Sequence, residues 1–470
     1  MQRYTKIVAT LGPATQSKEM LTSLIRAGVD IMRLNMAHAS HKWVDDAMWF
    51  IREASAEVGR EVAVMMDVKG PEIRTGVVEE PITVNEGDAF EFYIEQAAPT
   101  GDCPAVSVNY PGLPNDLSVG DTVLVDSGLI RMKVTGKSET HVRCEVLTPG
   151  RITSKRHINL PGVFVKLPAL TEKDEEDLRA GIRAGIDFVA LSFVRQGEDI
   201  RTLRKWLCNA GSNARIIAKI EDQAGVRNMR EIIEEADGVM VARGDLGIEV
   251  EYHKLPLIQR DIVRACAEAG KPVIIATHLL ESMVSSPMPT RAEISDVSNS
   301  IREQVDAVML SGETTIGKYP LESVEVMKNI IVSTEPTVDS GLNLKVPLNT
   351  PKAKMLRSAA VLAQEIGNGT GIIVFTRSGF LAYTLAALRP SGVPIYAFTD
   401  REPLYRQLKL LWGVEPFLIK FSDDPEQTIL DAKAMLREGG WSRPRMWFVT
   451  ITNVLGRHRI IDSLQLRKVE

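Results

Sequence analysis

Short apolar runs alternate with segments of helical periodicity over two separated stretches of the chain. In the helical segments apolar residues recur every three or four positions, as at 18–28, 172–185 and 255–270. Eight short runs rich in apolar and β-branched residues are typical of strands. They are KIVATL (6–11), DIMRLN (30–35), EVAVMMD (61–67), DFVALSF (187–193), RIIAKIE (215–221), GVMVA (238–242), PVIIAT (272–277) and DAVMLS (306–311). Strand and helix repeated eight times predict a (β/α)8 TIM barrel.

The pattern changes after the third candidate strand and again after the eighth. From about 71 to 168 the helical periodicity stops, and Gly, Pro and Asp recur at short intervals, which is typical of all-β structure. After about 340 a second alternating region predicts a small open α/β sheet. Its candidate strands are 371–376, 394–399, 415–419 and 446–451, and its candidate helices lie around 353–367, 379–388, 401–411 and 425–438.

These patterns predict three domains in an α/β protein. They are a discontinuous barrel (1–70 and 169–340), a small inserted β-barrel cap (71–168) and a C-terminal open-sheet α/β domain (341–470). The cap interrupts a loop after the third strand, so it should lie at the carboxyl-terminal mouth of the barrel, where the active sites of this fold are found.

Composition narrows the range of partners. The chain has 56 Lys and Arg against 61 Asp and Glu, a formal net charge of −5, which argues against nucleic acid or an anionic membrane as the main partner. The four cysteines form no C-x-x-C pair, which indicates a reducing compartment. No apolar run is long enough to span a bilayer, and the N-terminus lacks an apolar signal core. We therefore expect a soluble, cytoplasmic protein.

Polar residues stand within or directly after the apolar strands. A buried charge is costly without a partner or a task, so these residues are the first candidates for function. On strands two and five, Arg33 and Asn35, and likewise Lys219 and Glu221, are two residues apart and face the same side. The other candidates at strand ends are Asp67, Lys69, Arg74, Gly244, Asp245, Thr277, Ser311, Glu313 and Thr314.

Glu221 and Asp245 follow neighbouring strands and form a candidate site for Mg²⁺ or Mn²⁺, ions that usually take one or two protein carboxylates and leave room for substrate oxygens. Arg33, Lys69 and Lys219 stand around it, and with Arg74 they favour a small anion such as a phosphate attached to a carboxylate. The turn that begins at Gly244 adds backbone N–H donors for an anion. Ordinary salt bridges on the barrel rim remain the alternative interpretation.

Two other sites are disfavoured. The segment from Gly312 to Lys318 follows a strand and matches most of a P-loop, but Tyr319 stands where Ser or Thr must hold Mg²⁺. The seven histidines form no zinc-binding cluster. His38, near the end of the second strand, could contact a phosphate, although a histidine at a rim is more often structural.

At this point the chain resembles the pyruvate kinase family. The blocks that carry the resemblance follow the order of that family from residue 5 to about 320, and TRSG and QLKLLWGVEP continue it in the last domain. They are TKIVATLGPAT, RLNMAHAS, DVKGPEIRTG, NLPG, LPALTEKD, IIAKIEDQAGVRN, VMVARGDLGIE, ATHLLESM, PMPTRAEISDV and DAVMLSGETTIGKYP. The resemblance implies the transfer of a phosphoryl group from phosphoenolpyruvate to ADP, giving ATP and pyruvate in the last step of glycolysis.

Residue roles follow from the matching motif positions. The resemblance implies that Glu221 and Asp245 hold Mg²⁺, and that Lys219 stabilises charge on the transferring phosphoryl group and the enolate. It also implies phosphate contact by Arg33, carboxylate binding by the backbone around Gly244 and Asp245, and a place for Thr277 on the face where the enolate is protonated. The nucleotide phosphates would face Asn35, Arg74 and Arg156, with His38 nearby, and a second Mg²⁺ would arrive on ADP.

Some positions depart from the family pattern. The family's monovalent-cation site takes side-chain oxygens at four positions that here are Asn35, Ala37, Asp67 and Val68, so two of the oxygens are missing. At position 72, however, the chain has the Glu that is usual in potassium-dependent members of the family. We expect weak or absent potassium activation. Members activated by a sugar bisphosphate have a hydroxyl-rich segment where this chain has Ser378-Gly379-Phe380-Leu381, and a glycine-rich segment where it has ITNVLGRHRIIDS. We therefore expect no activation by fructose-1,6-bisphosphate.

Two alternatives remain open from the sequence. One is another magnesium-dependent barrel enzyme for phosphoenolpyruvate or pyruvate, a lyase or an aldolase. The other is a catalytically weak paralogue that binds metabolites as a regulatory subunit. The resemblance further implies a homotetramer whose C-terminal domain serves regulation and oligomerisation.

Overall fold

The fold is centred on a closed barrel of eight parallel strands. The computed structural model describes residues 3–338, 341–367, 369–456 and 459–469. All neighbouring strand pairs of the barrel are parallel, and the eight strands predicted from the apolar runs are confirmed to within a few residues. They are Lys6–Thr10, Ile31–Asn35, Ala63–Val68, Phe188–Leu191, Arg215–Ile220, Gly238–Ala242, Val273–Ala276 and Ala307–Leu310.

Helices connect the strands and bury their apolar faces against the barrel. Ser17, Ser40 and Thr171 cap the helices after them, each accepting a backbone N–H of the first turn, so the periodic segments begin where the sequence offers a capping side chain. The α-helices of this region are Lys18–Ala27, His41–Val58, Glu172–Ala184, Gly197–Asn209, Gln223–Arg227, Met229–Glu235, Arg243–Glu249, Leu255–Ala269, Arg291–Arg302, Gly312–Thr315 and Pro320–Thr334. No helix within the described ranges is long and apolar enough to cross a membrane.

An aspartate precedes every second barrel strand. Asp30, Asp187, Asp237 and Asp306 stand directly before the second, fourth, sixth and eighth strands. Each side chain accepts the backbone N–H of a residue on the preceding strand, at distances from 2.8 to 3.0 Å. The backbone N–H of the same aspartate donates to the carbonyl of that residue, at 2.9 to 3.0 Å. The four aspartates therefore fix the stagger between neighbouring strands at the amino-terminal end of the barrel.

The inserted region is all-β apart from one short helix, Leu113–Asp116. Its strands form a six-stranded sheet and a two-stranded sheet that share one apolar core. In the six-stranded sheet the spatial order is Ile158–Asn159, Thr122–Val125, Ile130–Lys137, His141–Val146, Ala89–Ile94 and Ala105–Val108, and the two-stranded sheet pairs Gly150–Ile152 with Ile82–Val84. We call this region the cap.

The C-terminal region is a five-stranded open sheet with helices around it. Four strands are parallel and match the predicted ones, and a fifth, Arg459–Lys468, pairs antiparallel with Trp447–Gly456. The spatial order is Val414–Leu418, Ile395–Thr399, Gly371–Phe375, Trp447–Gly456 and Arg459–Lys468, with helices Pro351–Ile366, Phe380–Leu388, Glu402–Gln407 and Pro425–Glu438. The fifth strand was not predicted.

This region docks on the amino-terminal end of the barrel through the aspartates. Arg389 makes two parallel hydrogen bonds to the carboxylate of Asp306, at 2.8 and 2.6 Å, and Arg406 donates to Asp187 at 2.8 Å. The aspartates are 1–2% exposed, so the ion pairs are shielded from water and more costly to break than surface pairs. The C-terminal sheet is thus attached to the end of the barrel opposite the cap.

Candidate active site

Four charged side chains form a continuous chain of ion pairs at the mouth of the barrel. Arg33 Nε donates to Asp67 Oδ2 at 2.7 Å, and Lys219 Nζ lies 3.2 Å from Asp67 Oδ1 and 2.9 Å from Glu221 Oε1. These residues come from the second, third and fifth strands and are at most 9% exposed. The structure thus joins Arg33, Asp67, Lys219 and Glu221, which the sequence had placed at separate strand ends.

Electrostatics hold Asp67 and Lys219 in their charged forms. Burial alone would raise the pKa of Asp67, but Arg33 and Lys219 outweigh it, and the pKa is lowered. Burial would lower the pKa of Lys219, but Asp67 and Glu221 outweigh it, and the pKa is raised. Lys219 therefore keeps its positive charge beside the negative charge of Asp67.

The surroundings of Glu221, in contrast, favour its protonated form. Burial raises its pKa to about 7, with Asp245 and Asp67 adding to the rise and Lys219 opposing it. Glu221 and Asp245 follow two neighbouring strands of the barrel, and the charge of Asp245 contributes to the raised pKa of Glu221. Glu221 Oε2 also accepts the N–H of Phe193 at 2.7 Å. The two carboxylates fit a divalent hard cation that keeps open positions for substrate oxygens.

A larger metal cluster is absent from this site. In the part of the chain that the structure describes, no group of three or more His, Cys, Asp or Glu residues could hold a metal ion. The pair Glu221 and Asp245 is smaller than such a group, and Mg²⁺ commonly takes one or two protein carboxylates.

Thr277 and Gly244 are linked on the other side of the mouth. The N–H of Gly244 donates to Thr277 Oγ1 at 2.7 Å, and that hydroxyl donates to the carbonyl of Ala276 at 2.7 Å. Thr277 has a φ of 65° and His278 a φ of 53°, a left-handed conformation that is unusual for non-glycine residues and occurs often at functional sites. Arg243 holds this strained turn by donating to the carbonyls of both residues, at 2.8 and 3.0 Å.

The cap supplies the remaining basic residues. Glu72 accepts from Lys69 at 2.9 Å and from Arg74 at 2.6 Å, and Arg156 pairs with Asp126 at 3.1 Å. Arg74 and Arg156 lie on neighbouring cap segments, since the carbonyl of Arg156 accepts the N–H of the residue after Arg74.

The cap also contacts the barrel directly. The ring of His157 lies 5.7 Å from that of Phe193, and Asn159 Nδ2 donates to Glu249 Oε1 at 2.9 Å. Both contacts join the cap to segments that follow barrel strands, so the cap is seated beside the mouth.

Of His38 and the predicted monovalent-cation residues Asn35 and Asp67, only Asp67 belongs to the ion-pair chain among the described residues. His38 is exposed, and its ring has no hydrogen bond or ion pair with any residue that the structure describes. Asn35 Oδ1 accepts the N–H of Ala37 at 3.1 Å. Both oxygens of Asp67 are used by Arg33, Lys219 and Ser192. The side-chain oxygens left at these positions are thus already hydrogen-bonded.

Several residues of the site were missed by the sequence analysis. Ser192 Oγ donates to the carbonyl of Val68 at 2.8 Å and lies 2.7 Å from Lys219 Nζ, so it positions the lysine. Arg243, Asn159 and Glu249 were also passed over. Ser192 directly follows the barrel strand Phe188–Leu191, just as the predicted site residues lie within or directly after barrel strands. A search of strand ends for uncharged polar residues, in addition to charged ones, would have found it.

The closed barrel, with two adjacent carboxylates and a buried lysine and arginine at its mouth, defines the class of metal-dependent barrel enzymes that act on small anions. Two family models match the chain: pyruvate kinase, barrel domain, at residues 2–324, and pyruvate kinase, alpha/beta domain, at residues 353–462. The chain belongs to the pyruvate kinase family. Its function is that of the family, phosphoryl transfer from phosphoenolpyruvate to ADP, and the lyase or aldolase alternative is therefore wrong.

Relatives from plants and bacteria are similar over most of their length. The chain is 41% identical to plastidial pyruvate kinase 2 of Arabidopsis thaliana, an alignment that covers 100% of this chain and 82% of the relative. It is 40% identical to the pyruvate kinase of Staphylococcus aureus strain MRSA252, covering 93% and 75%. The crystal structure of a pyruvate kinase from Cryptosporidium parvum superposes with a TM-score of 0.93 at 33% identity, covering 99% and 96% of the two chains.

Proposed function

We propose that the ion-pair chain Arg33–Asp67–Lys219–Glu221 is the phosphoryl-transfer centre of this chain. The observation that carries the proposal is that Asp67 fixes Arg33 and Lys219 in place from both sides, at 2.7 and 3.2 Å. Phosphoryl transfer depends mainly on positioning and charge neutralisation, so two cations that are held rigidly and kept dry suit it. Arg33 contacts the phosphate of phosphoenolpyruvate, and Lys219 stabilises charge on the transferring group and on the enolate oxygen.

Glu221 and Asp245 are proposed to hold the divalent cation, with Mg²⁺ as the expected ion and Mn²⁺ as a substitute. When bound, such an ion would neutralise charge on substrate oxygens. Their positions after neighbouring strands and the contribution of Asp245 to the raised pKa of Glu221 support this role, because a bound cation would offset that repulsion.

Gly244 and Thr277 are proposed to serve the other end of the substrate. The backbone at Gly244 and Asp245 begins the helix Arg243–Glu249, whose first N–H groups lack intrahelical partners. The N–H of Gly244 is bonded to Thr277 Oγ1, so we assign the substrate carboxylate to this turn with the N–H of Asp245 as its first donor. Thr277 lies on the face where the enolate methylene is protonated. Its hydroxyl is held by Gly244, so the two groups are positioned together.

The nucleotide phosphates are proposed to lie between the barrel and the cap. Asn35 and His38 approach them from the barrel, and Arg74 and Arg156 from the cap. The exposed imidazole of His38 and the half-exposed guanidinium of Arg156 are accessible to a ligand. In this arrangement the cap closes over the mouth and excludes water, which competes with ADP for the phosphoryl group.

We also propose that the domains are divided at residues 70, 168 and 340, and that the protein is a cytoplasmic homotetramer. Exposed apolar side chains such as Tyr252, Leu257 and Met288 support assembly, because they would be shielded in an oligomer. Light scattering should give a mass of four chains of 51.9 kDa. The relatives include plastidial as well as bacterial proteins, so the location is best tested by imaging in the source cell.

A coupled assay with lactate dehydrogenase tests the site. With phosphoenolpyruvate, ADP and Mg²⁺, Lys219→Met should lower kcat by about a thousandfold or more, because a fixed charge at the transferring group is removed. Lys205→Met, which changes an exposed lysine on a barrel helix, is the matched control. If the wild-type chain and Lys219→Met are folded and equally inactive, the chain is the weak regulatory paralogue instead.

A further inference from the structure

The chain passes between barrel and cap twice, and the second passage has no strand partner. Residues 163–168, which we call the return linker, run between the cap strand Ile158–Asn159 and the helix Glu172–Ala184. They belong to no sheet of the described structure, and their side chains alternate between half-buried and exposed, as in an extended chain. Shielded backbone groups need hydrogen-bond partners. The return linker obtains them from Arg195 on one edge and from Tyr110, with a longer contact to Asp116 at 3.3 Å, on the other.

Arg195 binds the edge of the return linker that faces the barrel. Its Nη1 donates to the carbonyl of Val165 at 3.1 Å, and its Nη2 donates to the carbonyl of Leu167 at 3.0 Å. Carbonyls two residues apart lie on the same edge of an extended chain, and the planar guanidinium spans both of them. Arg195 is only 4% exposed, and a buried charge is costly unless its donors are used.

Tyr110 binds the opposite edge from the cap. Its hydroxyl accepts the N–H of Lys166 at 3.0 Å and donates to the carboxylate of Asp116. Lys166 lies between the two residues whose carbonyls Arg195 binds, so its N–H points to the other edge. The return linker is therefore held between Arg195 of the barrel and the Tyr110–Asp116 pair of the cap, whose carboxylate also lies 3.3 Å from the N–H of Lys166.

Arg195 is itself fixed to the barrel. Its backbone N–H donates to Asp199 Oδ2 at 2.9 Å, and its carbonyl accepts from Asn228 Nδ2 at 2.7 Å. It stands three residues after Ser192, whose hydroxyl bonds Lys219 and Asp67. The loop that orients the transfer lysine thus also carries the residue that holds the return linker.

The first passage is fixed separately. The N–H of Gly70 donates to Asp174 Oδ1 at 3.1 Å, and Asp174, which is fully buried, also belongs to the capping box of its helix. Among the residues that the structure describes, a barrel side chain hydrogen-bonds the backbone of each passage: Asp174 at Gly70, and Arg195 at the return linker.

We propose that Arg195 is a positioning residue for phosphoryl transfer, which sets where the cap rests over the mouth by holding the carbonyls of Val165 and Leu167. The proposal rests on the cap closing over the bound nucleotide. Arg195 acts through the return linker rather than on a substrate. Its loss therefore affects the cap-dependent steps, which are ADP binding and the exclusion of water.

The kinetic test compares Arg195→Ala and Arg195→Lys with the wild-type chain, and uses Arg179→Ala, an exposed arginine on the helix after the return linker, as control. Arg195→Ala should raise KM for ADP by about tenfold and lower kcat by a similar factor, because the cap is misplaced over the mouth. It should also release more pyruvate than ATP, as water takes part of the phosphoryl flux. Lys, which reaches one carbonyl, should restore part of both effects.

The structural test measures amide hydrogen exchange. In Arg195→Ala and in Tyr110→Phe, exchange should become faster at residues 163–168 but stay slow in the barrel strands Phe188–Leu191 and Arg215–Ile220. The double variant should lose less than the sum of the single variants, because both residues hold the same linker. Unchanged exchange there, or a wild-type KM for ADP together with a pyruvate to ATP ratio of one, overturns the proposal, even if heat stability falls.

Failure of the proposed function gives a different result. A wild-type chain that makes no pyruvate from phosphoenolpyruvate and ADP contradicts the function, whereas the exchange rates at 163–168 still decide whether Arg195 holds the return linker.

Discussion

Asp67 illustrates how one residue can organise an active site without being a ligand itself. The sequence placed it in a weakened monovalent-cation site, but in the structure its two oxygens bind Arg33, Lys219 and Ser192. A carboxylate that is neutralised by two protein cations attracts a further cation only weakly. This pairing therefore supports the expectation of weak potassium dependence, which stays a prediction.

Potassium dependence is tested by ion replacement. When potassium is exchanged for tetramethylammonium at constant ionic strength, activity should fall by less than about a hundredfold, because Arg33 and Lys219 already balance the charge at Asp67. Measured initial rates at saturating substrates decide the matter. A larger fall would show that the cation site works despite Ala37 and Val68.

Ser192→Ala is the second residue-scale prediction. The hydroxyl is a partner of Lys219 Nζ at 2.7 Å, so its removal should lower kcat by about tenfold, with little change in KM for phosphoenolpyruvate. Ser295→Ala, on a barrel helix, is a control in which the hydroxyl bonds only its own helix. Equal kcat values for the wild type and Ser192→Ala would mean that Asp67 and Glu221 suffice to position the lysine.

At the scale of single residues, charged groups were easier to predict than uncharged ones. It is easy to select Arg33, Lys219 and Glu221 from the sequence, because a charged residue on a buried apolar strand is costly unless it has a partner or a function. Ser192 and Asn159 are common residue types in loops and strand ends, and their roles depend on partners that are far away in the sequence. The left-handed turn at Thr277 and His278 is equally hard to predict, because Arg243 stabilises it from the start of the helix Arg243–Glu249.

At the scale of elements, the strands and helices of the barrel followed their periodicity and their caps closely. The fifth strand of the C-terminal sheet, Arg459–Lys468, was missed because its pairing with Trp447–Gly456 is antiparallel in an otherwise parallel sheet. The strands that were predicted to begin with Asp30, Asp187 and Asp306 begin one residue later. At these positions each aspartate bonds the preceding strand through both its backbone N–H and its carboxylate.

Asp30→Asn tests one of these strand starts. Burial would raise the pKa of Asp30, but Arg3, Arg60 and Lys6 hold it at about 2, below the ordinary value of 3.8 for an aspartate carboxyl group. The charged form therefore stabilises the fold fully above about pH 4, and this contribution is lost as the pH falls through about 2. Asp30→Asn should lower the free energy of unfolding at pH 7 by at least about 2 kcal/mol.

Chemical denaturation at several pH values measures this effect. The difference between wild type and Asp30→Asn should be constant from pH 7 down to about 4 and should shrink below that. Asp88→Asn, on an exposed cap turn, is the control. A difference that stays the same at pH 3 would contradict the electrostatic origin.

At the scale of the whole molecule, the order of the domains was predictable, since each has its own periodicity. How they are joined was not, because the contacts are single side chains such as Arg389, Arg406 and Asn159 that bridge distant segments. The effector response also belongs to this scale. The segment ITNVLGRHRIIDS falls partly on residues 457 and 458, which lie outside the described ranges.

Fructose-1,6-bisphosphate should leave the half-saturation for phosphoenolpyruvate unchanged. Phe380 and Leu381, which follow Ser378 and Gly379, begin a helix and present apolar side chains that cannot donate to a phosphate. Saturation curves with and without the sugar at millimolar concentration provide the measurement. A clear leftward shift of the curve would contradict the prediction.

The aspartates before alternate barrel strands have a further consequence for how this chain can vary. Arg389 and Arg406 tie Asp306 and Asp187 to the C-terminal sheet, while Glu313 and Ser192 stand beyond the other ends of the same strands. The two strands, Phe188–Leu191 and Ala307–Leu310, have only four residues each and span about 13 Å in extended conformation. A one-residue deletion there cannot be absorbed locally, whereas loops at either end can lengthen freely. Insertions should therefore be tolerated in the loops at both ends of the barrel but not within its strands.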